Sequence, residues 1–474
     1  MQRRKYLKTM AAGTLSTGLL LDACTPNAET PVTSPAPGPL SARGMQASTT
    51  AVRVDMDLYF EAAADLYHAT TNPQGKFPLN VAENRLSWKL LKEKIESIAR
   101  EHPIEDWVAN YTSSVGSLST RQVLAQFLEK FLTHTPIDPE HLCLGPGAAA
   151  VIEQTSWIIA EPGDVAVIPA PCYSVYTQDI GNRPGLERYD LITHREMSEL
   201  KGGPLVTTDH LEKARLEIEG KGKRFRLLII TNPDNPTGGI YTREQLSAYA
   251  DWCISHQVHM VVNEIYGLSL LDTRHPLLRE DYPEERPFTS FVQIIQERKS
   301  DYLHWWYALS KDFGASGFRV GALYTMNETL RKAFNNLNAP AMVSNYAQWT
   351  FEKVLGDHDF VKSYVEANQR ALTENYGLAV SRLRKLGIPY SPARGSLFVW
   401  LDLSEFMTEN TPEAEHALWM DLYKTSGVLL TPGDGFGHAK RGQFRLVYPY
   451  VSKEGLDVAM GRVEEFVKGR RGAA

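Results

Sequence analysis

The feature that most restricts the fold is a succession of short apolar segments, each followed by a polar or glycine-rich turn. These segments lie at 141–144, 164–168, 226–230, 258–262, 302–309 and 320–324. Helical patterns separate most of them, and short buried strands that alternate with helices are typical of an open α/β sheet. Ligands of such sheets bind beyond the carboxyl ends of the strands, so the turns are where we expect functional residues.

Lys311 directly follows the segment at 302–309. It lies within the stretch Ala308-Leu-Ser-Lys-Asp-Phe-Gly-Ala-Ser-Gly-Phe-Arg-Val-Gly321. Burial lowers the pKa of an amine, and a neutral amine can attack an aldehyde to form a Schiff base. Arg319, eight residues later, carries a fixed fork of donors that suits a phosphate. An isolated Ser-Lys pair is more often part of a surface loop, so the interpretation depends on the other motifs.

A second anion site is indicated by Gly145-Pro-Gly147, which precedes a helical pattern at 148–160. The first N–H groups of a helix bind anions without a charged side chain. Ala148 and Ala149 occupy the start of this helix, so they can contribute only their backbone.

Two further turns offer groups for a planar ligand. Tyr173 follows the segment at 164–168, and an aromatic ring there can lie flat on a ligand ring. The other turn is Thr231-Asn-Pro-Asp-Asn-Pro-Thr-Gly-Gly239, the most specific motif in the chain. Its Asn-Pro pairs can continue neither strand nor helix, so they hold the amide of Asn235 at the end of a strand.

In this order the motifs resemble those of class I/II aminotransferases, fold-type I enzymes that use pyridoxal 5′-phosphate (PLP). The turn at 231–239 matches the NPxNPTG box, and Lys311 with Arg319 resembles the SxSK-x7-R signature. Pro78-Leu-Asn-Val-Ala-Glu-Asn-Arg-Leu86 resembles the entry segment of 1-aminocyclopropane-1-carboxylate (ACC) synthases. The resemblance covers residues 54–468. It implies an α/β fold in which helices flank a mostly parallel seven-stranded sheet, with a smaller α+β domain beside it.

The resemblance also implies the roles of individual residues. Lys311 would carry PLP as an internal aldimine and would act in catalysis together with Tyr266. The implied cofactor contacts are Ala148, Ala149, Tyr173, Asn235, Asn263, Tyr266, Ser310, Lys311 and Arg319. The implied substrate contacts are Arg445 for the α-carboxylate, Asn235, and Glu83, for which a helix-capping role is equally supported. Tyr111 is the one tyrosine in reach of the neighbouring subunit's cofactor in an implied homodimer.

Asn263 departs from the family pattern. The motif Asn263-Glu-Ile-Tyr266 stands where the family has DEIY, whose aspartate pairs with the protonated pyridine nitrogen. A neutral amide cannot supply that charge, so we expect a poorer electron sink unless another acid takes the role. Glu264 would point to the opposite face of a strand, which makes it a poor substitute.

Three functions are compatible with these residues. The first is an aminotransferase acting on an amino acid and a 2-oxo acid, and this is the interpretation we favour. The second is a lyase or cyclase of the ACC synthase type. The third is a PLP-binding protein with little catalytic activity, which Asn263 suggests. The net charge of −6 gives no reason to expect a nucleic acid as partner, and no metal site is expected.

The amino terminus is predicted to direct export. Arg3 and Arg4 precede a short apolar stretch, which resembles a twin-arginine signal. Leu21-Asp-Ala-Cys24 resembles a lipoprotein cleavage site, so Cys24 is a possible lipid anchor of a periplasmic or otherwise exported protein. The predicted organisation is a signal peptide, a flexible linker, an N-terminal segment of the small domain, a large PLP domain and a small domain, at 1–24, 25–50, 51–110, 111–335 and 336–474. Free buried thiols are expected for the other cysteines, with a Cys143–Cys172 bridge left open.

Overall fold

The computed structural model describes residues 39–49, 53–200 and 205–472. The described residues divide between two units, 39–49 within Met1–Ala51 and the others within Val52–Ala474. The described part of the first unit contains helix α1, Ala42–Thr49, which buries none of its residues. It lies in the segment predicted as a linker, and its alanine, arginine, methionine and glutamine residues favour a helix. The predicted export signal and Cys24 lie outside the described residues.

The second unit alternates strands and helices along most of its length. Its strands are β1 Phe77–Pro78, β2 Leu142–Gly145, β3 Val165–Ala170, β4 Glu187–Ile192, β5 Phe225–Thr231, β6 His259–Asn263, β7 Leu303–Ala308, β8 Gly321–Thr325, β9 Tyr390–Ser391, β10 Phe398–Asp402, β11 Val428–Leu429, β12 Thr431–Pro432 and β13 Gln443–Val447. Its helices are α2 Met56–Ala64, α3 Trp88–Glu101, α4 Leu118–Leu128, α5 Ala148–Ile159, α6 Tyr176–Gly181, α7 Thr208–Gly220, α8 Arg243–Ser255, α9 Phe291–Arg298, α10 Leu309–Asp312, α11 Glu328–Leu337, α12 Asn345–Gly356, α13 His358–Leu386, α14 Pro412–Ser426 and α15 Lys453–Gly472.

The large sheet has seven strands in the order β2-β8-β7-β6-β5-β3-β4. Strand β8 is antiparallel to both of its neighbours, and the other pairings are parallel. The prediction of a mostly parallel seven-stranded sheet is therefore confirmed. Because β3, β5, β6 and β7 are parallel, their carboxyl ends bring the predicted functional turns to one edge of the sheet.

The core lies on both faces of the large sheet. Side chains of a strand alternate between faces, so Trp305 and Tyr307 join one hydrophobic cluster while Trp306 joins another. All six residues of β7 are buried. The strand that ends just before Lys311 is thus fixed by packing on both sides.

A smaller region is built around a four-stranded antiparallel sheet in the order β12-β13-β10-β9. A short parallel pair of β1 and β11 joins the start of the second unit to this region. Helices α12 and α13 are separated by Asp357, which accepts a hydrogen bond from the N–H of Phe360 at 3.0 Å. The described part of the chain contains no helix long and apolar enough to cross a membrane.

The cysteines that the structure describes are free and buried. Cys143 and Cys172 are not bridged, and burial raises the pKa of the Cys143 thiol to about 12. The expectation of free buried thiols is confirmed for these residues.

Candidate active site

A cavity of about 260 Å³ lies where the turns after the parallel strands meet the small region. Most of the residues singled out in the sequence line it. They are Ala148, Ala149, Tyr173, Asn235, Asn263, Tyr266, Ser310, Lys311, Arg319 and Arg445. Residues more than 290 positions apart in sequence therefore share one site.

Lys311 stands in the short helix α10, directly after β7. Its Nζ donates a hydrogen bond to the carbonyl oxygen of Ala82 at 2.6 Å. Burial, followed by the positive charge of Arg445, lowers the pKa of Lys311 to about 8. A larger share of this amine is neutral near physiological pH than for a surface lysine, which suits attack on an aldehyde.

One end of the cavity is built for a phosphate. Arg319 has a φ of +55° and its NH1 donates to the carbonyl of Ser316 at 2.9 Å. A Cβ at Gly147 would overlap NH2 of Arg319, so a larger residue there would displace the guanidinium from this place. Helix α5 begins after Gly147 without a side-chain cap, which leaves its first N–H groups for a ligand. No carboxylate among the described residues pairs with Arg319.

Arg445 supplies a second guanidinium, on β13. The residue is 1% exposed, and among the described residues no carboxylate forms an ion pair with it. NH1 donates to Oδ1 of Asn235 at 2.9 Å, NH2 donates to the carbonyl of Asn80 at 3.0 Å, and Nε has no partner in the described chain. A buried charge without a counter-ion is costly, so this position is suited to a bound carboxylate.

The remaining polar groups surround the space for a ring. Because Oδ1 of Asn235 is engaged by Arg445, its amide nitrogen is the group left for a ligand. The ring of Tyr266 packs edge-on against Phe398, with ring centroids 5.4 Å apart, and burial raises its pKa. Tyr173 lines the same cavity, and its ring meets that of Tyr176 edge-on with centroids 5.2 Å apart. Ser310 is buried, and its carbonyl accepts a hydrogen bond from Ser316.

Asn263 ends β6 and lines the cavity. Its Nδ2 donates to the hydroxyl of Tyr176 at 3.0 Å, and its Oδ1 accepts from the N–H of Ile265 at 3.3 Å. Glu264 does point away, toward Ser290 and the N–H of Phe291, which its carboxylate binds at 2.6 Å each. Neither residue brings a free carboxylate to the cavity.

Two residues singled out in the sequence do not line the cavity. The carboxylate of Glu83 accepts hydrogen bonds from Arg85 at 3.0 and 2.7 Å, and Arg85 lies over the ring of Tyr450. The charge of Glu83 still acts on Lys311 and opposes the lowering of its pKa. Tyr111 is 96% exposed on the loop before α4.

Sequence reasoning missed several residues that line the cavity, notably Arg53, Tyr176, Asp179 and Thr231. Arg53 is ion-paired with Asp55, so its charge is already matched. Tyr176 and Asp179 follow Tyr173 at intervals of three, and this spacing was the one available signal. A helix directly after Tyr173 would place them on the same face.

These groups fit PLP. The cradle between Gly147 and Arg319 would hold its phosphate, Tyr173 its ring, the amide of Asn235 and the hydroxyl of Tyr266 its 3-oxygen, and Lys311 its aldehyde carbon. Two guanidinium groups without carboxylate partners in the described chain, Arg319 and Arg445, match one phosphate and one substrate carboxylate. The fold and the site together define a PLP-dependent enzyme of fold-type I.

The chain belongs to the family of class I and II aminotransferases, whose family model matches residues 75–463. ACC synthase 3 of Oryza sativa subsp. japonica is 31% identical over 415 residues, covering 85% of this chain and 90% of its own length. ACC synthase 11 of Arabidopsis thaliana is 30% identical over 421 residues, with 86% and 87% covered.

Solved structures show the same fold. An archaeal alanine:glyoxylate aminotransferase matches with a TM-score of 0.74 at 18% identity, covering 91% of this chain and 98% of its own. Aspartate aminotransferase from Thermus thermophilus with maleate has a TM-score of 0.71 at 21% identity, with 90% and 99% covered.

Proposed function

We propose that the protein is an aminotransferase that moves an amino group between an amino acid and a 2-oxo acid. Bound PLP supplies the aldehyde and the electron-withdrawing ring that this chemistry needs. Lys311 would hold the aldehyde carbon until the amino group of the donor displaces it. The freed amine of Lys311 would then move a proton to and from the α-carbon of the substrate. Arg445 holds the α-carboxylate and so fixes where the α-carbon lies relative to Lys311.

The observation that carries the proposal is the buried guanidinium of Arg445 in the same cavity as Lys311. The α-carboxylate is the group that an amino acid and a 2-oxo acid have in common. One site can therefore bind the substrates of both half-reactions, which transamination requires. An elimination reaction starts from an amino acid alone, so its site does not need to bind a 2-oxo acid as a substrate.

The decisive test is the half-reaction with a single amino donor. We expect purified, PLP-loaded protein to convert to the pyridoxamine form when amino acids are added without a 2-oxo acid, followed by absorbance. A 2-oxo acid should then restore the original spectrum. Release of an unsaturated or cyclised product with no pyridoxamine form would refute the proposal. We include a homodimer in the proposal, supported by the exposed ring of Tyr111, and light scattering on the same sample would measure the mass.

An ACC synthase-type lyase or cyclase is the second candidate, because relatives of that name are 30% and 31% identical over most of this chain. Removal of the α-proton by Lys311 serves both reactions, so the two differ only after that step. Product analysis in the half-reaction separates them. A spectrum that no amino acid changes would favour a PLP-binding protein with little catalysis.

We also propose that the protein is exported through the twin-arginine route, supported by Arg3 and Arg4 before a short apolar stretch. Replacing both arginines by lysine should leave the protein in the cytoplasm, since the charge is kept and only the side-chain type changes. Cell fractionation measures this, and Lys5→Arg serves as control. Export of the double variant at the normal level would contradict the route. Palmitate labelling that is lost in Cys24→Ser would show a lipid anchor.

A further inference from the structure

Asp179 is a carboxylate in the active site that the roles described so far do not use. It lies in α6, one turn after Tyr176, and both residues line the cavity. Residues three apart on a helix lie on the same face, so Asp179 is on the side that Tyr176 presents to the cavity. Tyr176 in turn accepts a hydrogen bond from Asn263.

The carboxyl group of Asp179 has no matching partner in the described chain. Its Oδ2 is buried without a hydrogen bond, and no cationic side chain among the described residues forms an ion pair with it. An unpartnered buried polar atom is costly, which indicates that a partner is brought by a ligand.

The charged surroundings of Asp179 favour a bound proton. Glu153 of α5 faces it with a like charge, and the other titratable groups that interact with it are the hydroxyls of Tyr173 and Tyr176. Burial, followed by the charge of Glu153, raises the pKa of Asp179 to about 7. Near neutral pH the group can therefore both hold a proton and release it.

Asn263 stands where the family has an aspartate, so this position lacks an acid for the pyridine nitrogen. Its side chain is a neutral amide, so it cannot provide a negative charge for a protonated ring. Its Nδ2 already donates a hydrogen bond to the hydroxyl of Tyr176. Glu264 is turned to the other side of β6 and is hydrogen-bonded there. Among the described residues that line the cavity, Asp179 is the carboxylate.

We propose that Asp179 is the acid that shares a proton with the pyridine nitrogen of PLP, in place of the aspartate that Asn263 replaces. The proton leaves the carboxyl oxygen and bonds to the ring nitrogen, which gives a carboxylate beside a pyridinium with no change in total charge. The attraction between these two charges keeps the ring protonated and effective as an electron sink. This inference deepens the proposed function and rests on its cofactor site, but not on whether the reaction is transamination or elimination.

The test reads the ring nitrogen directly. PLP labelled with ¹⁵N in the ring is bound to the full-length protein, and the nitrogen chemical shift is measured at pH 7. We expect a protonated nitrogen in the unaltered protein and an unprotonated one in Asp179→Asn. The pyridoxamine half-reaction of Asp179→Asn should slow by about tenfold or more. Glu153→Gln is the matched control, because it removes the neighbouring carboxylate that does not line the cavity, and it should keep the nitrogen protonated.

Two results would overturn the proposal: an unprotonated ring nitrogen in the unaltered protein, or a protonated one in Asp179→Asn. The first result overturns the proposal even if Asp179→Asn does not fold. The double variant Asp179→Asn with Asn263→Asp restores a carboxylate on β6 and should restore ring protonation. Because the nitrogen signal needs no turnover, a protonated ring in a protein without aminotransferase activity would refute the proposed reaction and leave the role of Asp179 intact.

Discussion

Replacing Lys311 with alanine is expected to abolish turnover with every amino donor. The change removes the amine that binds the aldehyde of PLP and also the group that moves the α-proton. General acid–base catalysis alone accounts for about 10²–10⁴ in rate, and loss of the covalent attachment adds to this. Turnover is measured as pyridoxamine formation and product release. Lys332→Ala is the control, since that lysine is exposed and paired with Glu328 on α11.

Borohydride reduction tests the same assignment without turnover. Reduction followed by peptide mapping should place the pyridoxyl group on Lys311 in the unaltered protein and on no peptide of the alanine variant. Because the pKa of Lys311 is lowered to about 8, the neutral fraction of the amine increases as pH rises through that value. The rate at which the apoenzyme takes up PLP should therefore rise over the same range. A pyridoxyl group on another lysine would disprove the assignment.

Loss of the Arg319 guanidinium should weaken PLP binding by about tenfold or more. A hydrogen bond to a charged group contributes about 1.5–3 kcal/mol, and about 1.4 kcal/mol corresponds to a factor of ten. The dissociation constant of PLP for Arg319→Ala apoenzyme can be measured by fluorescence. Arg274→Ala should bind PLP normally, because that arginine is exposed and pairs with Asp272.

Gly147→Ala offers an independent check on the phosphate site. The Cβ of an alanine here would overlap the Arg319 guanidinium. The alanine would also have to adopt a φ of +90°, which residues other than glycine rarely do. We expect it to weaken PLP binding as Arg319→Ala does. Unchanged affinity in both variants would show that the phosphate lies elsewhere.

The sequence was sufficient to predict six of the seven strands of the large sheet, because these strands are buried. Strands such as β7 are continuous apolar segments in the sequence. The turns after them carry the motifs from which the site was predicted. Strand β4 was not predicted, because it lies at the sheet edge and its sequence, Glu-Arg-Tyr-Asp-Leu-Ile, is half polar. Most residues of β4 are partly or fully exposed, so it lacks the continuous apolar run that burial on both faces produces.

Most of the predicted site residues stand in motifs of fixed spacing, and most of the missed ones depend on tertiary packing. Lys311, Asn235 and Arg319 stand in motifs with fixed spacing, so their convergence follows from the parallel strands. Arg53 and Asp179 have no such motif, and only the folded chain shows that they reach the cavity. Conversely, the segment around Glu83 was recognised, but the pairing of Glu83 with the neighbouring Arg85 is a local contact that the resemblance did not indicate.

The contact between Arg445 and Asn80 has a consequence for how the enzyme is made. These residues are 365 positions apart, and the guanidinium is held by the carbonyl of Asn80 at 3.0 Å. Synthesis of the residues around the PLP cradle is complete once Arg319 has been added to the chain. Arg445 is added on the order of ten seconds later at usual synthesis rates. The carboxylate site therefore closes last, by joining an early segment of the chain to a late one. A nascent chain that ends before Arg445 lacks the guanidinium that we propose holds the substrate carboxylate.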